Sequence, residues 1–186
     1  MAEVARPFRV CLTGAESTGK SELTKQLARH FSAPFVSEYS REYALEREAG
    51  LTYSDVAAIA RGQIEREDRA LAGAKGLVLL DTDIVSTVVY SRHHFGAVPK
   101  WVEEEAKKRL ADLYLLLAVD VPWIWDPVRD SGATRDALHD DFRRALDGLG
   151  AEYAMISGKW DERLRQAIAA IEAAWNRHPE RSEGSR

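Results

Sequence analysis

The sequence contains a single cysteine, Cys11, and lacks any run of about 18 consecutive apolar residues. One cysteine excludes an internal disulfide and any metal site built from several cysteines, which suits a reducing cytoplasm. The missing apolar run, and an N-terminus without an apolar signal core, argue against a membrane span or a secreted protein. We therefore expect a cytoplasmic protein with no membrane partner, in which Cys11 is a small core residue.

An excess of positive charge is also absent. The chain has 26 Lys and Arg residues against 30 Asp and Glu residues, so its net charge of −4 gives no electrostatic footprint for nucleic acid. Its five histidines are isolated or, at His93 and His94, adjacent, and neither arrangement has the i, i+4 spacing that chelates a metal on one helix face. We expect a small-molecule partner, and the oligomeric state stays open.

The 186 residues fit one domain, which we place at residues 1–176, followed by a polar tail at residues 177–186. Apolar runs alternate with helical patterns, and the runs at 76–80 and 113–119 are continuous, which is typical of parallel strands buried on both faces. This order predicts an α/β fold, a three-layer sandwich with helices on both sides of a parallel sheet. The predicted strands are residues 8–13, 34–37, 76–81, 112–119 and 152–156, and the predicted helices are residues 20–31, 42–48, 54–72, 84–94, 100–110, 135–146 and 161–175.

A complete phosphate-binding loop follows the first predicted strand. Residues 14–21 read Gly-Ala-Glu-Ser-Thr-Gly-Lys-Ser, which matches the pattern G-x-x-x-x-G-K-[ST]. The glycines let successive N–H groups turn towards a phosphate, and the next helix adds its positive dipole end. Lys20 would contact the β- and γ-phosphates, and the Ser21 hydroxyl would ligate Mg²⁺. We assign ATP binding to Gly14, Ala15, Glu16, Ser17, Thr18, Gly19, Lys20, Ser21 and Glu22.

Two aspartates end the third predicted strand, in the segment Asp81-Thr82-Asp83. A carboxylate at this position can hold Mg²⁺ or its waters, and Asp81 is the better candidate because it closes the apolar run. Asp83 would then reach a second substrate as a catalytic or hydroxyl-binding group. The alternative is that Asp83 caps the helix that begins at Ile84, and the two roles can coexist.

A second charged block, from Ser37 to Tyr43, follows the second predicted strand. Because the carboxyl ends of neighbouring parallel strands share one crevice, Glu38 should face the γ-phosphate, where it could accept a hydroxyl proton. Tyr39 and Arg41 are candidate substrate contacts. The alternative for Arg41 is a place on a solvated helix face.

The polar segment after the fourth strand, at about residues 121–136, has the composition of a mobile lid. Arg129 and Arg135 could neutralise charge on the transferred phosphoryl group. Trp123 and Trp125 could stack on a flat heterocycle or only anchor the base of the lid. Near the last helix, Trp160 and Arg163 are candidate ATP contacts, beside the adenine.

Together these blocks resemble the ribosylnicotinamide kinase domain of the NadR family, within the broader AAA-like P-loop group. The resemblance runs from Arg9 to about Trp175 and rests on residues 14–23, 38–42, 81–87 and 123–129, whose order and spacing agree with the family. It implies a P-loop fold of the mononucleotide-kinase type and MgATP-dependent phosphorylation of the 5′-hydroxyl of nicotinamide riboside, a step of NAD salvage. The chain departs from the family at Ser37, where an aromatic residue is frequent, and at residues 123–127.

Two other functions stay open: a kinase for another nucleoside or small alcohol, and a nucleotide-dependent regulatory NTPase that acts through a partner. A GTP-binding switch usually carries an Asn-Lys-x-Asp block, which the sequence lacks. Glu38 and the predicted lid favour transfer to a bound acceptor. The sequence does not separate ATP from GTP as donor.

Overall fold

The structure is a computed structural model that describes residues 6–47, 50–122 and 134–178, so most of the predicted tail lies outside it. Strands and helices alternate along these residues, and a 3₁₀ turn at Tyr53–Asp55 precedes the third helix. No helix in these three ranges is both long and apolar enough to cross a membrane. The elements are β1 Phe8–Thr13, α1 Lys20–Phe31, β2 Phe35–Val36, α2 Tyr39–Leu45, α3 Val56–Gly73, β3 Leu77–Asp81, α4 Ile84–Phe95, α5 Lys100–Lys108, β4 Leu113–Leu117, α6 Arg135–Leu149, β5 Tyr153–Ile156 and α7 Trp160–Asn176.

The five strands form one parallel sheet in the order β2-β3-β1-β4-β5. The central strand β1 pairs with β3 on one side and with β4 on the other. In this register Leu12 lies opposite both Asp81 and Leu115. The chain therefore leaves β1 and β3 at the same edge of the sheet, where ligands bind in open α/β folds.

Successive side chains of the strands point to opposite faces, and each face has its own apolar core. Cys11 and Leu80 belong to a core covered by α3, α4, α5 and α6. Leu12 and Leu79 belong to the other core, which α1 and α7 cover. The predicted three-layer sandwich and the buried Cys11 are therefore confirmed.

The second helix begins three residues earlier than predicted. Periodicity predicted a start at Glu42, whereas α2 starts at Tyr39. The reason lies outside the segment, because the Tyr39 N–H donates to Gln63 Oε1 at 3.0 Å, so a distant side chain satisfies a terminal amide of the helix. This bond links the start of α2 to α3.

Candidate functional site

The phosphate loop connects β1 to α1 and holds several unusual backbone angles. Gly14 (φ 127°) and Gly19 (φ 86°) have positive φ, as does Ser17 at φ 53°. Lys20 Nζ donates to the carbonyls of Gly14 and Ala15 at 2.9 and 2.7 Å. The lysine ammonium therefore lies against the backbone carbonyls at the start of the loop.

Arg163 supports the loop from below. Its side chain is fully buried, and it donates to the carbonyls of Gly158, Thr18 and Ala118, each at 2.9 Å, and pairs with Asp120. Partial burial raises the pKa of Asp120, but the Gly158 N–H and the Arg163 guanidinium outweigh it and hold that pKa below its usual value. In this structure the donors of Arg163 hold protein carbonyls and Asp120, and its contact with ATP stays a prediction.

Arg135 has a similar place at the other side of the loop. It is buried at the start of α6 and donates to the carbonyls of Ser17 and Val121, both at 3.3 Å. It was predicted to reach the transferred phosphoryl group from the lid. In this structure it connects the loop backbone to Val121, which lies shortly after the end of β4.

Trp160, the first residue of α7, lies against the phosphate loop. A Cβ atom at Gly19 would lie 2.3 Å from two carbon atoms of the indole ring, so only glycine permits this approach. Half of Trp160 is nevertheless exposed (50%). Trp160, a predicted nucleotide contact, thus offers a flat, accessible aromatic surface next to the loop.

Glu22, the last residue of the predicted ATP-binding segment, is exposed on α1 and accepts a hydrogen bond from Gln26 of the same helix.

Asp81 ends β3 beside the strand that enters the loop. It is buried, and it lies opposite Leu12 in the sheet. The next residue, Thr82, has φ 65°, which is rare for a β-branched side chain, and its N–H donates to the Leu12 carbonyl at 3.0 Å. Such a conformation costs about 1–3 kcal/mol and persists where surrounding bonds enforce it. Asp81 and the Ser21 hydroxyl offer the hard oxygen ligands that suit Mg²⁺.

Asp83 caps the start of α4. It is almost completely buried, and its Oδ1 accepts the N–H groups of Val85 and Ser86 at 3.0 and 3.3 Å, while its Oδ2 accepts the Tyr114 hydroxyl at 2.6 Å. Burial raises its pKa, and these hydrogen bonds oppose the rise. The structure shows the helix-capping alternative, and the contact of Asp83 with an acceptor stays a prediction.

A cavity of about 420 Å³ opens next to the loop, between α2, α3 and α4. Glu16 of the loop and Glu38 form part of its wall, and both are buried. Glu38 Oε1 accepts the Ser40 hydroxyl at 2.7 Å. Arg41 also lines the cavity but is exposed, so it lies at the mouth. The sequence did not predict most of the lining residues, which include Leu51, Ile59, Gln63, Tyr90, His94 and Phe95.

Tyr39 is not among the described residues that line this cavity, and its contact with a substrate stays a prediction. Its ring packs against Gly62, where a Cβ atom would be 2.2 Å away, and the Arg66 guanidinium lies 4.7 Å from the ring centroid. The tyrosine therefore joins α2 to α3 rather than to a ligand.

Gln63 connects the walls of this cavity. Besides accepting the Tyr39 N–H, it donates from Nε2 to the Thr82 carbonyl at 3.3 Å and to Glu67 Oε1 at 2.9 Å. Glu67 is 1% exposed, and burial, followed by the charge of Asp83, raises its pKa to about 8. A polar residue on the apolar face of α3 was the only sequence signal for this network.

Three predicted residues, Trp123, Trp125 and Arg129, lie outside the described residues, as does most of the predicted lid. Within the described ranges, no group of three or more His, Cys, Asp or Glu side chains converges on a metal position. A metal held here by Ser21 and Asp81 would therefore need ligands from a nucleotide or water, which is the usual arrangement for Mg²⁺.

Comparison with known proteins gives a consistent result. Residues 9–163 match the AAA domain family. The trifunctional NAD biosynthesis/regulator protein NadR of Salmonella typhimurium is 33% identical over 154 residues, which are 79% of this chain and 36% of that protein. The chain thus spans about a third of the length of this relative.

Two solved structures of NadR also match. A NadR protein in complex with NR has a TM-score of 0.76 and 27% identity, over 92% of this chain and 52% of that chain. A NadR protein in complex with NAD and AMP-PNP has a TM-score of 0.74 and 26% identity, over 92% and 50%. The resemblance to NadR inferred from the motifs is confirmed, and the chain belongs to the AAA domain family.

Proposed function

We propose that this protein is a MgATP-dependent small-molecule kinase that phosphorylates the 5′-hydroxyl of a riboside, with nicotinamide riboside as acceptor. The observation that carries the proposal is the cavity beside the phosphate loop. Glu16 belongs to the loop and also lines the cavity, so an acceptor bound in the cavity would lie next to the donor phosphates. A regulatory NTPase needs the loop but not this cavity. The NadR structure in complex with NR supports the choice of acceptor.

On the donor side, the loop amides and Lys20 would bind the ATP phosphates, and Trp160 offers a surface for the base. ATP is proposed as donor because a NadR structure holds AMP-PNP. Ser21 and Asp81 would hold Mg²⁺, which bridges the β- and γ-phosphates and neutralises the charge of the transfer. Arg163 and Arg135 would keep the loop in shape through their hydrogen bonds to its carbonyls.

On the acceptor side, Glu38 would accept the proton of the attacking hydroxyl. Its carboxylate lies in the cavity wall, and the Ser40 hydroxyl fixes one of its oxygens. Phosphoryl transfer depends mainly on positioning and electrostatics, so such a base contributes about 10²–10⁴ in rate. Arg41 at the mouth could contact the acceptor or the transferred group.

The charges of the cavity favour a nucleoside over a nucleotide acceptor. Binding a monophosphate needs cationic side chains, preferably bidentate arginines. The described walls instead contain two buried carboxylates, Glu16 and Glu38, and one exposed guanidinium, Arg41. A neutral or cationic acceptor therefore fits this cavity better than an anionic one.

The test is product formation from nicotinamide riboside, ATP and Mg²⁺, followed by chromatography, with GTP and other nucleosides in parallel. Glu38→Gln should lower kcat by about 10²–10⁴ with little change in ATP affinity. Glu65→Gln, an exposed change on α3, should leave both unchanged. Steady ATP hydrolysis that no riboside or nucleoside diverts into a phosphorylated product would instead favour the regulatory NTPase.

A further inference from the structure

Glu16 is a buried carboxylate of the phosphate loop, and one of its oxygens has no hydrogen-bond partner among the described residues. The residue is 3% exposed, lines the acceptor cavity, and its Oε2 accepts no hydrogen bond from the described residues. A buried polar atom without a partner is expensive, and a buried charge is more so. The loop pattern leaves this position free to vary, so phosphate binding does not require a carboxylate here.

No cationic side chain among the described residues is hydrogen-bonded to Glu16 Oε2. Burial, followed by the neighbouring His93, lowers the pKa of His94 in the cavity wall, and the charge of Glu16 opposes this without reversing it, so the cationic imidazole is disfavoured. Lys20 directs its ammonium to the carbonyls of Gly14 and Ala15. Arg41 is exposed at the mouth.

The same cavity offers aromatic surfaces. Tyr90 and His94 are stacked, with ring centroids 6.0 Å apart and an interplanar angle of 10°, and Phe95 follows them in the wall. Aromatic faces attract planar cations as well as neutral rings, but an adjacent carboxylate attracts only the cation. The cavity wall thus combines aromatic side chains, against which a planar ring can stack, with the carboxylate of Glu16.

We propose that Glu16 selects the acceptor by charge, and that it favours a riboside whose planar ring is cationic over a neutral ring of the same shape. The inference rests on the proposed riboside kinase function and names the acceptor class that it takes. The pyridinium ring of nicotinamide riboside belongs to this class. A unit charge several Å away, at an effective dielectric constant near 20, changes affinity by roughly ten- to a hundredfold.

The test compares nicotinamide riboside with its dihydro form, in which the ring is uncharged. The wild-type protein should prefer the cation in kcat/KM by about tenfold or more. Glu16→Gln keeps the shape and should raise KM for the cation by about tenfold, with a smaller effect on kcat and on the neutral acceptor. Glu65→Gln on the exposed face of α3 should keep the preference.

Equal losses for both acceptors in Glu16→Gln would overturn the proposal and indicate a hydrogen bond to the ribose. Unchanged constants would overturn it as well. Because the change removes an unpartnered buried charge, the variant should melt at or above the wild-type Tm, and AMP-PNP titration checks that the loop is intact.

A binding experiment separates this inference from the proposed function. NMR titration compares 1-methylnicotinamide with nicotinamide, which differ in the charge of the ring. The wild-type protein should bind the cation more tightly, and Glu16→Gln should abolish the difference. If no riboside is phosphorylated, the proposed function fails, yet this titration still decides whether Glu16 reads charge.

Discussion

Glu67 makes the stability of this protein depend on pH, and Glu67→Gln should remove much of that dependence. The carboxyl is 1% exposed inside α3, and its pKa is raised to about 8 from an ordinary value of 4.5. The causes are burial and the charge of Asp83, while the bond from Gln63 and the more distant Arg109 and Arg9 oppose them. The native state therefore holds a proton that the unfolded chain releases near pH 4.5.

The sign follows from proton linkage. Between pH 4.5 and about 8 the Glu67 carboxyl binds more protons in the native state than in the unfolded state, so its contribution to the free energy of unfolding falls as pH rises. This contribution is highest below pH 4.5 and levels off above about pH 8. The difference between the two pKa values corresponds to roughly 5 kcal/mol, of which about 3 kcal/mol is lost between pH 5 and pH 8.

Urea denaturation at several pH values between 5 and 8.5 measures this effect, provided that unfolding is two-state. A glutamine at position 67 can still accept the bond from Gln63 but does not titrate. The variant should be about as stable as wild type at pH 5 and more stable by about 3 kcal/mol at pH 8. Glu65→Gln, two residues earlier on the exposed face of α3, should follow the wild-type curve. Parallel curves for wild type and Glu67→Gln would refute the reasoning.

Three further changes test other parts of the site. Lys20→Ala should abolish turnover, because it removes the ammonium proposed to bind the β- and γ-phosphates, and the circular dichroism spectrum should stay unchanged; retained activity would exclude the loop as the donor site. Tyr114→Phe should lower the free energy of unfolding by about 1–3 kcal/mol, measured in urea, because it removes the hydroxyl that Asp83 accepts; an unchanged value would show that this bond is replaced. Gln63→Leu should destabilise the fold and lower kcat/KM for the acceptor more than for ATP, measured by steady-state kinetics, and equal losses would contradict its place in the acceptor wall.

The sheet and its phosphate loop could be predicted because local signals determine them. Continuous apolar runs identify the buried strands β3 and β4, and the loop pattern specifies residue types at fixed spacing. The wall of the acceptor cavity was harder to predict from the sequence, because α2, α3 and α4 build it together through hydrogen bonds between distant residues. Gln63 illustrates this: it contacts Tyr39 and Thr82, 24 and 19 residues away, and no local pattern predicts such a pairing.

The contacts of the arginines with the loop backbone could not be predicted, for a related reason. A sequence shows that Arg135 and Arg163 are charged and lie near nucleotide-binding segments, and charge suggests phosphate. It does not show which backbone carbonyls a folded loop presents to them. The carbonyls of Ser17 and Thr18 accept from these two arginines, and buried carbonyls require donors. Guanidinium groups supply several donors in one plane, so these residues became supports of the loop.

The acidic side chains in and around the site differ in the number of hydrogen-bond donors that each one has. We infer their different roles from this difference rather than from the residue type. Asp83 accepts three hydrogen bonds and is committed to the start of α4. Glu67 has one amide donor in a buried place and is therefore held protonated. Glu38 keeps a place in the cavity wall with a hydroxyl on one oxygen, and Glu16 keeps an oxygen that no described group uses. The fold pairs Asp83 with three donors and keeps Glu67 protonated, whereas Glu16 Oε2 has no partner among the described residues, so the cost of burying this oxygen lies where a ligand can offset it.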